Sequence, residues 1–166
     1  ESNVSIIKAA ALDKNKKLFL VQNRFSPAGR YISNKGLPIQ SVTVDELTSN
    51  IEIPVSLIKI DVEGAEGLVV YGGKKTIKKY RPVILVEYTP ERLYNYGVDP
   101  IELLSFLEKS GYFFSILGNK PKVKMLTIDK IYKFAKAKFT IDLLCLPNSI
   151  ERENSNSIQN HNNYLK

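Results

Sequence analysis

The apolar positions of this 166-residue chain come in short runs separated by polar and turn-forming residues, and two spacings recur. The first is near-continuous. At residues 55–62, Val55, Leu57, Ile58, Ile60 and Val62 predict a strand buried on both faces, because a half-exposed strand would alternate apolar and polar residues more strictly. Residues 83–86 repeat the pattern after Arg81-Pro82, and residues 4–12, 18–22, 39–44, 112–117 and 139–146 predict further strands. The second spacing is helical. Residues 68–80 carry Leu68, Val69, Ile77 and Tyr80 on one face, although Gly72-Gly73 should weaken or kink that helix. Asp99 is a fitting N-cap with Pro100 at the first position, and the helix it opens runs to Lys109 and stops at Gly111. Thr43 or Asp45 can cap a brief helix through Leu47, and residues 126–136 are amphipathic.

Between these elements, residues 23–36 carry turn chemistry at Ser26-Pro27-Ala28-Gly29 and Asn34-Lys35-Gly36, and residues 88–98 read as a loop. From residue 148 the composition turns to Asn, Ser, Glu and Gln, which predicts a disordered tail after a single domain over residues 1–147. Strands alternating with helices predict an α/β fold with a doubly wound sheet. Two successive strands, at residues 55–60 and 83–86, run into carboxylates, Asp61 with Glu63 and then Glu87. Ligands of open α/β sheets dock beyond such strand ends. A carboxylate pair there can hydrogen-bond an amine or hydroxyl, hold a divalent cation through oxygen, or accept a proton. Gly64 permits the turn that follows, and Glu66 suits the first turn of the next helix, where the dipole favours an acid. Lys59 is equally readable as a strand lysine paired to an acid and as a site residue.

The string VSLIKIDVEGAE at residues 55–66, followed by Gly72-Gly73 and RPVILVEY, resembles the second half of the FkbM family of S-adenosylmethionine-dependent methyltransferases. The similarity spans roughly residues 3–147, with KIDVEGAE its most specific part. The resemblance implies a Rossmann-like class I methyltransferase sheet, mostly parallel with a last antiparallel strand, and methyl transfer from S-adenosylmethionine to oxygen on a sugar or other hydroxylated small molecule or glycan. It assigns Asp61, Glu63 and Glu87 to catalysis, with Tyr88 near the acceptor rim, and Asp13, Asp61 and Gly64 to the donor side.

The chain departs from the family at its start. No glycine-rich strand-to-helix loop precedes residue 4, so the sheet reads as incomplete at its N-terminus, donor binding by these residues alone should be weak, and the chain reads as cut from something longer. The strand at residues 55–60 would then have an unpaired edge or pair with the first strand. An exposed edge also supports a second expectation, a non-catalytic remnant that binds a partner or assembles as a homo-oligomer.

Composition narrows the field further. Hydrophobic residues make up 43% and charged residues 25%, values of a globular protein, and no apolar run reaches the ~20 residues of a membrane span. The net charge of +7 is spread over lysines in turns and helix faces without aromatic interleaving or an arginine cluster, which argues against a nucleic-acid partner. One cysteine, Cys145 in an apolar run, allows no internal disulfide and fits a reducing, cytoplasmic setting. The single histidine, His161, lies in the tail, so histidine bases and Ser-His-Asp chemistry have no support, and zinc-ligand spacing is absent.

Overall fold

A computed structural model of the chain describes residues 3–22, 30–33, 35–118 and 125–148. The turn motif at residues 26–29, His161 and the polar tail from residue 149 lie outside the described residues. The strands are β1 (Ala10–Ala11), β2 (Lys17–Gln22), β3 (Arg30–Ser33), β4 (Leu37–Val42), β5 (Leu57–Ile60), β6 (Val83–Tyr88), β7 (Tyr112–Ile116) and β8 (Ile141–Pro147). The helices are α1 (Val44–Leu47), α2 (Glu66–Gly72), α3 (Lys74–Tyr80), α4 (Pro90–Asn95), α5 (Pro100–Lys109) and α6 (Ile128–Lys138).

They build two mixed sheets. The first has the order β1-β4-β2-β3, with β1 parallel to β4 and β2 antiparallel to both its neighbours. The second has the order β5-β6-β8-β7. There β5 and β6 are parallel, joined by a crossover through α2 and α3, while β8 runs antiparallel to both β6 and β7. The strands β5, β6 and β7 therefore point one way and the last strand opposes them. The expectation of a mostly parallel sheet gives way to a mixed one for two reasons. Hairpin-like pairing governs β2, β3 and β4, and β8 inserts between β6 and β7.

Local chemistry sets most element ends. Thr43 Oγ1 accepts from Glu46 N at 3.1 Å and starts α1. Asp99 Oδ1 accepts from Ile101 N and Glu102 N at 2.8 and 3.0 Å and starts α5, which closes before Gly111 at φ +82°. The helix predicted over residues 68–80 is two helices, because Gly72 ends α2 and Gly73 links it to α3. Gly72 also has a packing role: a Cβ there would lie 2.1 Å from the Leu12 carbonyl oxygen, so only glycine lets α2 seat against the end of β1.

Alternate residues of the second sheet face the core. Ile60, Ile84, Val86, Tyr88, Phe114, Leu143 and Cys145 pack with Val70 and Ile77 of the α2–α3 pair, Leu93 of α4, Leu104 and Leu107 of α5 and Ile131 of α6. The opposite face carries Leu57, Lys59, Leu85 and Leu144, which are exposed or half-buried. This corrects two expectations. A doubly wound sheet has helices on both faces, whereas the strand residues packed with these helices all belong to one face. The strand β5 is buried on one face only, with Leu57 60% exposed, because the helices pack against its other face, and as the edge of its sheet it pairs with β6 alone among the described residues. A smaller cluster of Leu12, Leu18 and Ala65, with Ile32, Ile39 and Tyr96 against it, joins the first sheet to the turn after β5. Among the described residues no helix is long and apolar enough to cross a membrane.

Candidate functional site

The turn leaving β5 is held by its own glutamate. Glu66 is 1% exposed, and its Oε1 accepts from Val62 N at 3.1 Å and Gly64 N at 2.9 Å. The side chain thus folds back over the loop rather than simply facing solvent in the first helical turn. Glu63 adopts φ +58° and Gly64 φ +114°, so the loop passes through the left-handed region twice. A Cβ on Gly64 would meet Tyr96 at 2.9 Å and the Arg92 Cβ at 3.0 Å, so glycine also lets this loop approach α4 and the residue after it.

The three acids fall into two environments. Asp61 accepts from Lys59 Nζ at 2.9 Å on the exposed face of β5, and that hydrogen bond raises the lysine's pKa. Glu63 Oε2 lies 2.7 Å and Glu87 Oε2 3.2 Å from the same nitrogen, Arg92 Nη1 of α4. Desolvation holds the Glu87 carboxyl above its ordinary pKa despite the opposing pull of Arg92, with Asp61, Glu66 and Glu63 adding to the rise. The guanidinium lies 5.9 Å from the ring centre of Phe139, itself at φ +70°.

A cavity of about 240 Å³ opens between the first sheet and this turn. Residues 9–12, Leu20, Ile32, Val62, Ala65 and Tyr96 line it together with Asp61 and Glu63. The Tyr96 hydroxyl accepts from Ile32 N at 3.5 Å, tying the two sides. Of the residues singled out in the sequence, Asp61 and Glu63 share this cavity, while Glu87 stands beside it through Arg92. Asp13 and Gly64 are not among its lining: Asp13 follows β1 next to Gly72, and Gly64 faces α4. Tyr88 is not at a rim. It is fully buried on the core face of β6, and its hydroxyl donates to the Pro100 carbonyl at 3.1 Å.

Arg92 is the residue that sequence reading passed over. It sits in a segment read as a loop, which in fact holds α4. The signal was present in Thr89-Pro90, a polar residue before proline at a first helical position. The Thr89 hydroxyl reaches Thr140 at 2.7 Å and Glu91 pairs with Lys136 of α6 at 2.6 Å, so the N-terminal end of α4 is tied to α6 and the residues that follow it. Among the described residues no group of three or more His, Cys, Asp or Glu is placed to hold a metal ion.

The arrangement fits an organic cation in part. Two carboxylates line the cavity with apolar walls and one aromatic ring, whereas its volume of about 240 Å³ falls below the ~300–1,000 Å³ that encloses a drug-sized ligand. A sequence profile described as the Methyltransferase FkbM domain matches residues 10–114. No curated protein and no solved structure matches the chain.

Proposed function

Because this chain belongs to the FkbM methyltransferase family, we propose that it transfers a methyl group from S-adenosylmethionine to an oxygen of a sugar or other hydroxylated acceptor, a small molecule or glycan. The observation that carries this reading is the cavity in which Asp61 and Glu63 face apolar walls from the first sheet. When bound, S-adenosylmethionine supplies a methyl group already activated by a cationic sulfur, so the protein's share is to position the acceptor and take its proton. Asp61 offers negative charge to the donor, Glu63 stands at the cavity wall paired with Arg92, and residues 9–12 with Tyr96 offer apolar surface. Glu87, one strand away, is a group to receive the acceptor's proton. The cavity of about 240 Å³ would enclose only part of a donor of this size, so binding by these residues alone is expected to be weak. Gly64 contributes by shaping the turn that presents both acids, and Asp13 by closing the adjacent end of β1.

The same reading takes residues 1–147 as a partial methyltransferase domain with a Rossmann-like class I sheet incomplete at its N-terminus. Its support is the parallel crossover from β5 to β6 and a last strand that opposes its neighbours. A cytoplasmic location is proposed on the buried, unpaired thiol of Cys145. Calorimetric titration with S-adenosylmethionine tests the function. Saturable binding with a dissociation constant of order 0.1–1 mM, about −5 kcal/mol, weakened tenfold or more in D61A, is expected. No saturable heat at millimolar donor would sink the reading.

A second reading rests on a different observation, the open edge of β5 with Leu57 60% exposed. A sheet edge of this kind recruits another strand, and on this reading the chain is a non-catalytic assembly module that forms homo-oligomers. Sedimentation at increasing concentration separates the two: association abolished by a proline at Lys59, without donor binding, favours the module.

A further inference from the structure

The acids at the strand ends are not equivalent, and one cation accounts for the difference. A single nitrogen, Arg92 Nη1, serves Glu63 at 2.7 Å and Glu87 at 3.2 Å, two carboxylates that arrive from different strands. The closer partner is also the more exposed, with side chains 42% and 27% accessible for Glu63 and Glu87. Three features hold the guanidinium in place. Phe139 backs it with its ring, Gly64 leaves room for its stem, and the flanking residues Thr89 and Glu91 tie α4 to Thr140 and Lys136. Asp61 is engaged elsewhere, with Lys59. Glu87 is thus the least solvated of the three acids and the more distant of the two that share Arg92.

We propose that Arg92 is a positioning residue that divides roles among the strand-end acids, keeping Glu63 as its fixed ionic partner and orienting Glu87 as the group that takes the acceptor's proton. The proposal rests on the methyl-transfer reading. In the transfer the acceptor oxygen forms its new bond to the methyl carbon, the carbon–sulfur bond breaks with its electrons left on sulfur, and the acceptor's proton passes to the Glu87 carboxylate. Protonated Glu87 leaves Arg92 paired with Glu63, so no cation is stranded when the proton arrives. The groups facing Glu87 are Arg92 from α4, Asp61 and Glu63 from the turn after β5, and Glu66 from α2, together with Lys59 on β5 and Asp142 opposite it on β8. Desolvation and the surrounding acids favour uptake of a proton at this position, and Arg92 restrains it.

A double-mutant cycle read by carbon-detected NMR titration of the Glu87 side-chain carboxyl tests the sharing without any ligand. E63Q frees Arg92 for Glu87 and should lower its midpoint by roughly half a pH unit or more, and R92Q should raise it. In an R92Q background the E63Q shift should shrink to the small part due to lost like-charge repulsion. Equal E63Q shifts in both backgrounds would show that Arg92 is not shared and would overturn the proposal. Should R92Q fail to fold, R92M carries the same comparison, since an unbranched apolar stem keeps the packing and removes the charge. Donor titration of the unsubstituted protein keeps the two readings apart: absence of donor binding there sinks methyl transfer, whereas an additive cycle sinks only the role of Arg92.

Discussion

Gly64 and Glu66 shape the cavity wall through backbone geometry and not through contact with a ligand. Gly64 combines φ +114° with Cβ distances of 2.9 and 3.0 Å to Tyr96 and Arg92, so G64A meets both conformational and steric resistance. A loss of about 1–3 kcal/mol in urea unfolding is expected. Glu66 holds two backbone N–H groups, of Val62 and Gly64. Its truncation in E66A leaves both without an acceptor, at about 1–3 kcal/mol for each buried group, and E66Q, which keeps an oxygen, should lose distinctly less in the same measurement. The turn role of Gly64 was legible from its place after a strand. The fold-back of Glu66 was not, because an acid two residues past a turn glycine suits a helix dipole equally well, and only packing decides which way its side chain goes.

At the level of elements, the break between α2 and α3 shows a helix end completed from a distance. Asp45, read from sequence as a cap for its own short helix, instead accepts from Lys75 N at 3.0 Å and from Thr76 N at 2.8 Å, capping α3, while Thr43 caps α1. D45A should therefore cost about 0.5–2 kcal/mol, and amide exchange should quicken at Lys75 and Thr76 while α1 is unaffected. The strong local signals were read correctly. Asp99-Pro100 opens α5 and Gly111 closes it, because caps and breakers act within a turn of themselves. The helix α4 was missed since its six residues are too few to show a helical period. The one-sided burial of β5 escaped for another reason: an apolar run looks the same whether helices cover one face of its sheet or both.

For the molecule as a whole, the raised pKa of Glu87 makes stability depend on pH in a definite direction. A carboxyl whose folded value lies above its unfolded one contributes stability in full below the unfolded value, and that contribution is lost as pH rises through the folded value. Glu91, whose carboxyl the Lys136 hydrogen bond holds below its ordinary range, contributes with the opposite sign, so the wild type is compared with E87Q. The thermal midpoint of the wild type relative to E87Q should fall as pH rises from about 4 through the raised value, and a difference that does not change with pH would count against the desolvated placement. Cys145 offers a global probe. It is fully buried and burial pushes its thiol up, so a thiol reagent should react only at the rate of unfolding.

Taken alone, the sequence determined the α/β alternation, the strand-turn string that marks the family, and the two strand ends at which acids gather. These are local properties, written in periodicity, caps and breakers within a few residues of one another. Only the tertiary structure decided that Tyr88 belongs to the core and that Asp61 pairs with Lys59. It also decided that Glu63 and Glu87 share Arg92, which is 29 residues from the first and 5 from the second. The partner of a carboxylate depends on which strands are neighbours, on their register and on where a short helix is pinned, and each of these is set by burial across the whole sheet.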